Sequence, residues 1–306
     1  MKRLLSLMLI CTIGIFTLCM CTACQSKDDT APTESNSAAV ESTVIFENEL
    51  FYELKKEAGT LDVVMFRVGN ADAILFSTEN CTLLLDTGEK NDFDADKILA
   101  YCASQNITAL DAVIVSNVLT DNIGGYEKIC KELAVTEVIA PFYNATGHRY
   151  TKFLRTVLAS GAALTNISEV TARTWDDVSI TFYPAANPVV YDTEEDMSLV
   201  LALTHGDNTM LFCGNIREPR IAEVTETITD TFDVVKLPDH GFFFDGMDAF
   251  LDQYAPQYVM ISDSAKNSVT YDLLSMLADK NITYYRTADA YICARSDGKK
   301  LTFTQN

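Results

Sequence analysis

Short, continuous apolar runs that stop at a carboxylate, an amide or a glycine constrain this chain more than any other feature. LLLDTG (Leu83 to Gly88), AVIVSN (Ala112 to Asn117), TMLFCGN (Thr209 to Asn215) and VVKLPDHG (Val234 to Gly241) share that form. A strand with one face in water alternates apolar and polar residues. A run that is apolar at every position is covered on both faces. The chain therefore needs helices to cover its sheets, and ADKILAYCASQ, HRYTKFLRTVLASG, DGMDAFLDQYAP and SVTYDLLSMLADKN have helical spacing. Gly69-Asn70 joins LDVVMFRVG to ADAILF, and Gly206-Asp207-Asn208 joins SLVLALTHG to TMLFCGN; both read as hairpins. Hairpins mixed with strand–helix–strand crossovers point to an α/β (α+β) sandwich with covered sheets. No Pro- or Ser-rich break interrupts residues 46–306, so that stretch is read as one domain.

The N-terminus has a different character. Lys2 and Arg3 precede the apolar LLSLMLICTIGIFTL, and CMCTACQSKDD follows. This is the pattern of an export signal. Cleavage before Cys24 would resemble lipoprotein processing, with residues 1–23 as signal peptide and Cys24 acylated, holding the protein to the outer face of the cell membrane. An uncleaved membrane anchor and a secreted form are the alternatives. Residues 24–45 are too poor in apolar side chains to fold and read as a flexible polar tether.

Of the cysteines beyond that segment, Cys81, Cys102, Cys130, Cys213 and Cys293 are widely spaced, form no C-x-x-C pair and sit in apolar settings. Buried thiols are the simplest reading, and their disulfide state is left open. The net charge of −20, with no run of Lys and Arg, disfavours nucleic acid as a partner.

Several segments line up with one known family. FRVGNADAIL resembles the opening F-x-x-V-G-Q-G-D-A-I-L, and LLLDTG the strand-end Asp-Gly motif that follows it. AVIVSNVLTDNIGG resembles I-L-T-H-x-H-x-D-H-I-G-G. EEDMSLVLALTHGDNTMLFCGNI resembles N-x-x-S-L-V-L-x-L-x-Y-G-x-x-x-x-L-L-T-G-D, and FDVVKLPDHGFF resembles D-x-L-K-V-P-H-H-G-S. Together they resemble the ComEC-like branch of the metallo-β-lactamase-fold superfamily, over roughly residues 60 to 305. The resemblance implies a four-layer αββα sandwich with a zinc pair at the sheet edges. There the metal would supply hydroxide near neutral pH and polarise the scissile group.

Carried over residue by residue, the ligand set is degenerate. Asn117, Leu119 and Asn122 stand where the family has histidines, Asn215 where it has the bridging Asp, and Asp239 where it has the first His of His-His-Gly. Asp121 and His240 are retained. The segment SDSAKNSVTYDLL lacks a further expected His, and His148 and His205 fall in no motif. An apolar Leu119 cannot coordinate. The resulting expectation is a surface-anchored, zinc-free pseudoenzyme, with no cofactor, that binds a ligand or a protein partner. The first alternative is a divergent hydrolase of phosphodiesterase or nuclease type. There Asp121, Asp239, Asn117, Asn122 and Asn215 would hold Ca²⁺, Mg²⁺, Mn²⁺ or residual Zn²⁺, with His240 as general base and Asp121 and His240 as the candidate catalytic residues. The second alternative, an accessory role in DNA uptake, rests on fold analogy alone. Finally, Phe242, Phe243 and Phe244 follow the former metal motif and read either as filling for the lost metal shell or as an exposed aromatic lip.

Overall fold

The computed structural model describes residues 52–142, 147–186, 191 and 193–305. The signal segment, the tether and Cys24 lie outside the described residues. Fifteen strands and seven α-helices are present among those described. The first half contains β1 (Leu61–Met65), β2 (Ile74–Ser77), β3 (Thr82–Leu85), α1 (Asp92–Ser104), β4 (Ala109–Ile114), α2 (Thr120–Ile123), α3 (Tyr126–Glu132), β5 (Ala134–Pro141), α4 (His148–Ser160) and β6 (Ala163–Ile167). Then come β7 (Thr171–Trp175), β8 (Val178–Tyr183), β9 (Val200–His205), β10 (Asn208–Phe212), α5 (Glu218–Thr227), β11 (Val234–Lys236), α6 (Met247–Tyr254), β12 (Tyr258–Ile261), α7 (Tyr271–Asp279), β13 (Thr283–Arg286), β14 (Ile292–Ser296) and β15 (Leu301–Thr304).

Two sheets form. One has the order β15-β14-β1-β2-β3-β4-β5-β6, the other β13-β12-β11-β10-β9-β8-β7. The apolar runs explain the layering, because successive side chains of a strand point to opposite faces. Val63, Met65, Leu83, Leu85, Ala112 and Ile114 meet Ile180, Phe182, Leu201, Leu203, Met210 and Phe212 between the sheets. Their neighbours Val64, Leu84 and Val113 pack outward against Ile98 and Tyr101 of α1, Ile129 of α3 and Phe153 of α4. On the far side, Leu211, Val235 and Val259 pack on α5, α6 and α7 through Val224, Phe250, Leu251, Tyr254 and Leu273. Three apolar cores thus separate four layers, helix–sheet–sheet–helix.

Strand β7 is not among the expected elements. Its sequence TARTW is polar at most positions, lies at the sheet edge and pairs with β8 alone, so it carries no buried-run signal. Cys81, Cys102, Cys130, Cys213 and Cys293 are free thiols, all buried except the half-buried Cys130. Burial pushes the Cys102, Cys213 and Cys293 thiols up to about 12, so they are inert at neutral pH. Among the described residues no helix is long and apolar enough to cross a membrane.

Parallel pairing of β3, β4 and β5 in one sheet, and of β10, β11 and β12 in the other, brings the carboxyl ends of these strands to one edge of the sandwich. Open parallel sheets place their ligands at this edge. Each polar terminus of the apolar runs is a loop residue there.

Candidate functional site

Five loops build the site. Asp86 leaves β3, Ser116 to Asn122 leave β4, Gly214 and Asn215 leave β10, Asp239 and His240 leave β11, and Ser262 leaves β12. The β11 loop is aimed by unusual backbone. Asp239, His240 and Gly241 are consecutive residues with φ of 42°, 57° and 79°. Left-handed conformations at two non-glycine residues cost on the order of 1–3 kcal/mol each and persist where the surroundings impose them. Close packing fixes Gly241, since an added Cβ would stand 2.9 Å from both Ile261 and Val269.

The structure brings Asp121, Asn215 and His240 together. The Asn215 side-chain Nδ2 donates to Asp121 Oδ2 at 2.8 Å and lies 3.3 Å from His240 Nε2. His240 Nε2 is itself 3.5 Å from Asp121 Oδ2. On the other edge of the ring, His240 Nδ1 is 3.0 Å from Ser262 Oγ and 3.8 Å from Asp72 Oδ1. Burial works to raise the Asp121 carboxyl. The hydrogen bond and charge of His240, with the Asn215 amide, outweigh it and hold Asp121 below the usual carboxylate range.

A second, deeper ring of bonds lies behind. Asn122 Nδ2 donates to Asp86 Oδ2 and Ser116 Oγ, both at 3.0 Å, and to Asn215 Oδ1 at 3.3 Å. Ser116 donates to Asp86 through its amide at 2.7 Å and its hydroxyl at 2.6 Å. Asn117 accepts from the Leu119 amide and donates to Ser198 Oγ, each at 2.8 Å. Lys236, buried, forms an ion pair with the equally buried Asp72 and donates to the Gly214 carbonyl at 3.3 Å. Among the described residues no group donates to Asp72 Oδ1 or Asn122 Oδ1.

The remaining positions stand apart. Asp239 turns away from His240 to accept from Arg217 Nε at 2.9 Å. His205 lies at the far end of β9, bonded to Ser296 Oγ at 2.6 Å and Asp177 at 3.2 Å. His148 opens α4. Phe242 is 66% exposed, whereas Phe244 is buried and packs edge-on against Phe250 at 5.9 Å. The lip and the filler are therefore different rings of one run, and Phe244 fills the α6 core rather than a metal shell. Phe242, Phe244, Ile216, Pro238, Arg217 and Asp239 line a cavity of about 310 Å³ beside the site. Ser198, Ser262 and Arg217 were not singled out from sequence. Ser198 and Ser262 lie inside or at the end of quoted segments, while Arg217 had no signal.

These residues do not fit a zinc pair. Zinc takes lone pairs from imidazole, thiolate or carboxylate. Leu119 offers none, the Asn117 amide is engaged with Leu119 and Ser198, and Asn122, whose NH2 is bonded to Asp86 and Ser116, offers only a neutral amide oxygen. Asp121 and His240, the two positions where the resemblance would keep a ligand, both face one NH2 group, that of Asn215. Among the described residues no group of three or more His, Cys, Asp or Glu is placed to hold a metal ion.

No protein-family model matches the chain, and no curated protein matches it. Solved structures do. CmlA, a diiron β-hydroxylase from Streptomyces venezuelae, is similar with a TM-score of 0.51 and 15% identity over 74% of this chain; the chain spans only 52% of CmlA. The metallo-β-lactamase fold protein YhfI from Bacillus subtilis has a TM-score of 0.51 and 14% identity, with 74% of this chain and 95% of YhfI covered. Igni18, a metallo hydrolase from Ignicoccus hospitalis, has a TM-score of 0.50 and 11% identity, with 81% and 99% covered. The two facing sheets, their helical covers and these similarities agree: the chain has the metallo-β-lactamase fold.

Proposed function

We propose that this protein is a zinc-free member of the ComEC-like branch, anchored through Cys24 to the outer face of the cell membrane, that binds a ligand or protein partner without hydrolysing it. One observation carries the reading. The Asn215 NH2 stands between Asp121 and His240 and donates where a cation would accept. A metal ion and an N–H proton compete for the same lone pairs, so the bonded arrangement is self-sufficient. The adjoining cavity, with Phe242 at its lip and the Arg217–Asp239 pair in its wall, is the natural place for the ligand. The test is elemental mass spectrometry of the untagged chain purified without chelator. Well below one metal per chain, with no uptake from added Zn²⁺ or Mn²⁺, is expected. One or two metals per chain would overturn the reading.

A divergent metal-dependent hydrolase is the second reading, and one feature favours it. Asp121 Oδ2, the Asn215 amide and His240 Nε2 are 2.8 to 3.5 Å from one another. Adjacent ligands on an ion held at about 2.1 Å are separated by roughly 3 Å. A half-turn of the Asn215 amide would exchange NH2 for oxygen and offer a three-ligand set to a single hard cation. That Igni18 is a metallo hydrolase points the same way. A rise in melting temperature with Mn²⁺ that is lost in Asp121→Ala would favour this reading over the first.

A further inference from the structure

Four turns meet at the edge of the sandwich opposite the candidate site. The β7–β8 turn at Asp176 and Asp177 and the β9–β10 turn at Gly206 and Asp207 belong to one sheet. The β2–β3 turn at Thr78 to Asn80 and the β14–β15 turn at Asp297 and Gly298 belong to the other. Their backbones are in close contact. The Asp207 amide donates to the Gly298 carbonyl at 2.6 Å, and a Cβ on Gly206 would stand 2.2 Å from that oxygen. Asp176 accepts from the Thr78 hydroxyl at 2.5 Å and the Asn80 amide at 3.0 Å. Between the turns lies His205, buried, with Nδ1 2.6 Å from Ser296 Oγ of the facing sheet and Nε2 3.2 Å from Asp177 Oδ2.

Counting protons fixes the charge of this ring. Asn208 Nδ2 donates to the Lys299 carbonyl at 3.3 Å, which leaves Asn208 Oδ1 facing Ser296. Ser296 Oγ donates its one proton to that oxygen at 2.7 Å and accepts from the Gly298 amide at 3.1 Å. It has no second proton to give, so His205 Nδ1 donates to it. Nε2 faces a carboxylate, which only accepts, so Nε2 donates too. With every bond made, the ring is an imidazolium. A neutral ring forfeits one bond: either Asn208 Oδ1 loses its donor, or Nε2 turns a bare lone pair on Asp177. We infer that His205 is a proton-operated clasp, which joins the two sheets at this edge while charged and loosens them when it gives up a proton. Asp177 is the carboxylate bonded to the ring. Of the other charged groups on these turns, Asp176 is taken up by Thr78 and Asn80, and Asp297 by the Lys299 and Lys300 amides. Asp207, Lys299 and Lys300 are exposed. The clasp is independent of either reading of the Asp121–His240 centre.

The test is one NMR titration of the full-length chain from about pH 5 to 9, a span that brackets histidine titration. The chain has three histidines, so the ring nitrogens of His205 can be assigned. Their shifts report how many protons the ring holds. Amide exchange of Asp207 and Gly298, corrected for its intrinsic pH dependence, reports whether the turns are joined. Both nitrogens protonated while these amides are protected, and exchange several-fold faster once the ring loses a proton, is the expected result. Asp177→Asn, a change at a half-exposed side chain, removes the partner charge. In that variant the ring should lose its proton at a lower pH, and the exchange transition should move with it. A singly protonated ring under protected amides, exchange indifferent to the ring's proton, or no shift in Asp177→Asn overturns the inference.

Discussion

Asn215→Asp tests the centre of the site most directly. It places a carboxylate at this position and removes the NH2 that Asp121 and His240 share. The new oxygen would lie about 2.8 Å from Asp121 Oδ2, where two unit charges at an effective dielectric of 20 repel by about 6 kcal/mol. The cluster need not bear that whole repulsion, because it can bind one proton. At pH 8, protonating a group with an ordinary pKa between about 4 and 6.5 costs roughly 2–5 kcal/mol, at 1.36 kcal/mol per unit. The expected loss of stability at pH 8 is therefore about 2–5 kcal/mol, a fall in melting temperature of roughly 5–15 °C. The sign with pH follows from linkage. The folded variant binds the proton more tightly than the unfolded chain, so the penalty is present at high pH and shrinks as pH falls. Thermal unfolding of both proteins at pH 8 and pH 5.5 reads this out. Equal melting at pH 8, or a penalty that grows toward pH 5.5, would refute the placement of the Asn215 amide between Asp121 and His240.

Two further outcomes are expected. Burial, and then the charge of Asp72, push Asp86 up to about 8 against the donors Ser116 and Asn122. Its contribution to stability is fully present below the ordinary carboxylate pKa and is lost as pH rises through about 8. Melting temperature should thus decline between pH 6 and 8, and Asp86→Asn, which tolerates the φ of 58°, should flatten that decline. Truncating the aromatic run should split it: Phe244→Ala costs about 3–5 kcal/mol in denaturant unfolding, and Phe242→Ala within about 0.5 kcal/mol.

The apolar runs by themselves determined the sheets, their double coverage and the edge at which Asp86, Asn117, Asn215 and His240 emerge, because a residue's face in a strand follows from its parity in the sequence. That Leu119 cannot ligate a metal was equally legible, since it has no lone pair in any fold. Tertiary structure alone decided what replaced them. Which way an amide points depends on groups that only folding brings near, and Asn215 meets Asp121 and His240 from a different sheet and a different loop. The same holds for the split between Phe242 and Phe244, neighbours in sequence with opposite environments. Periodicity reports burial along one segment, whereas hydrogen-bond direction and local charge are sums over segments that are remote in the chain.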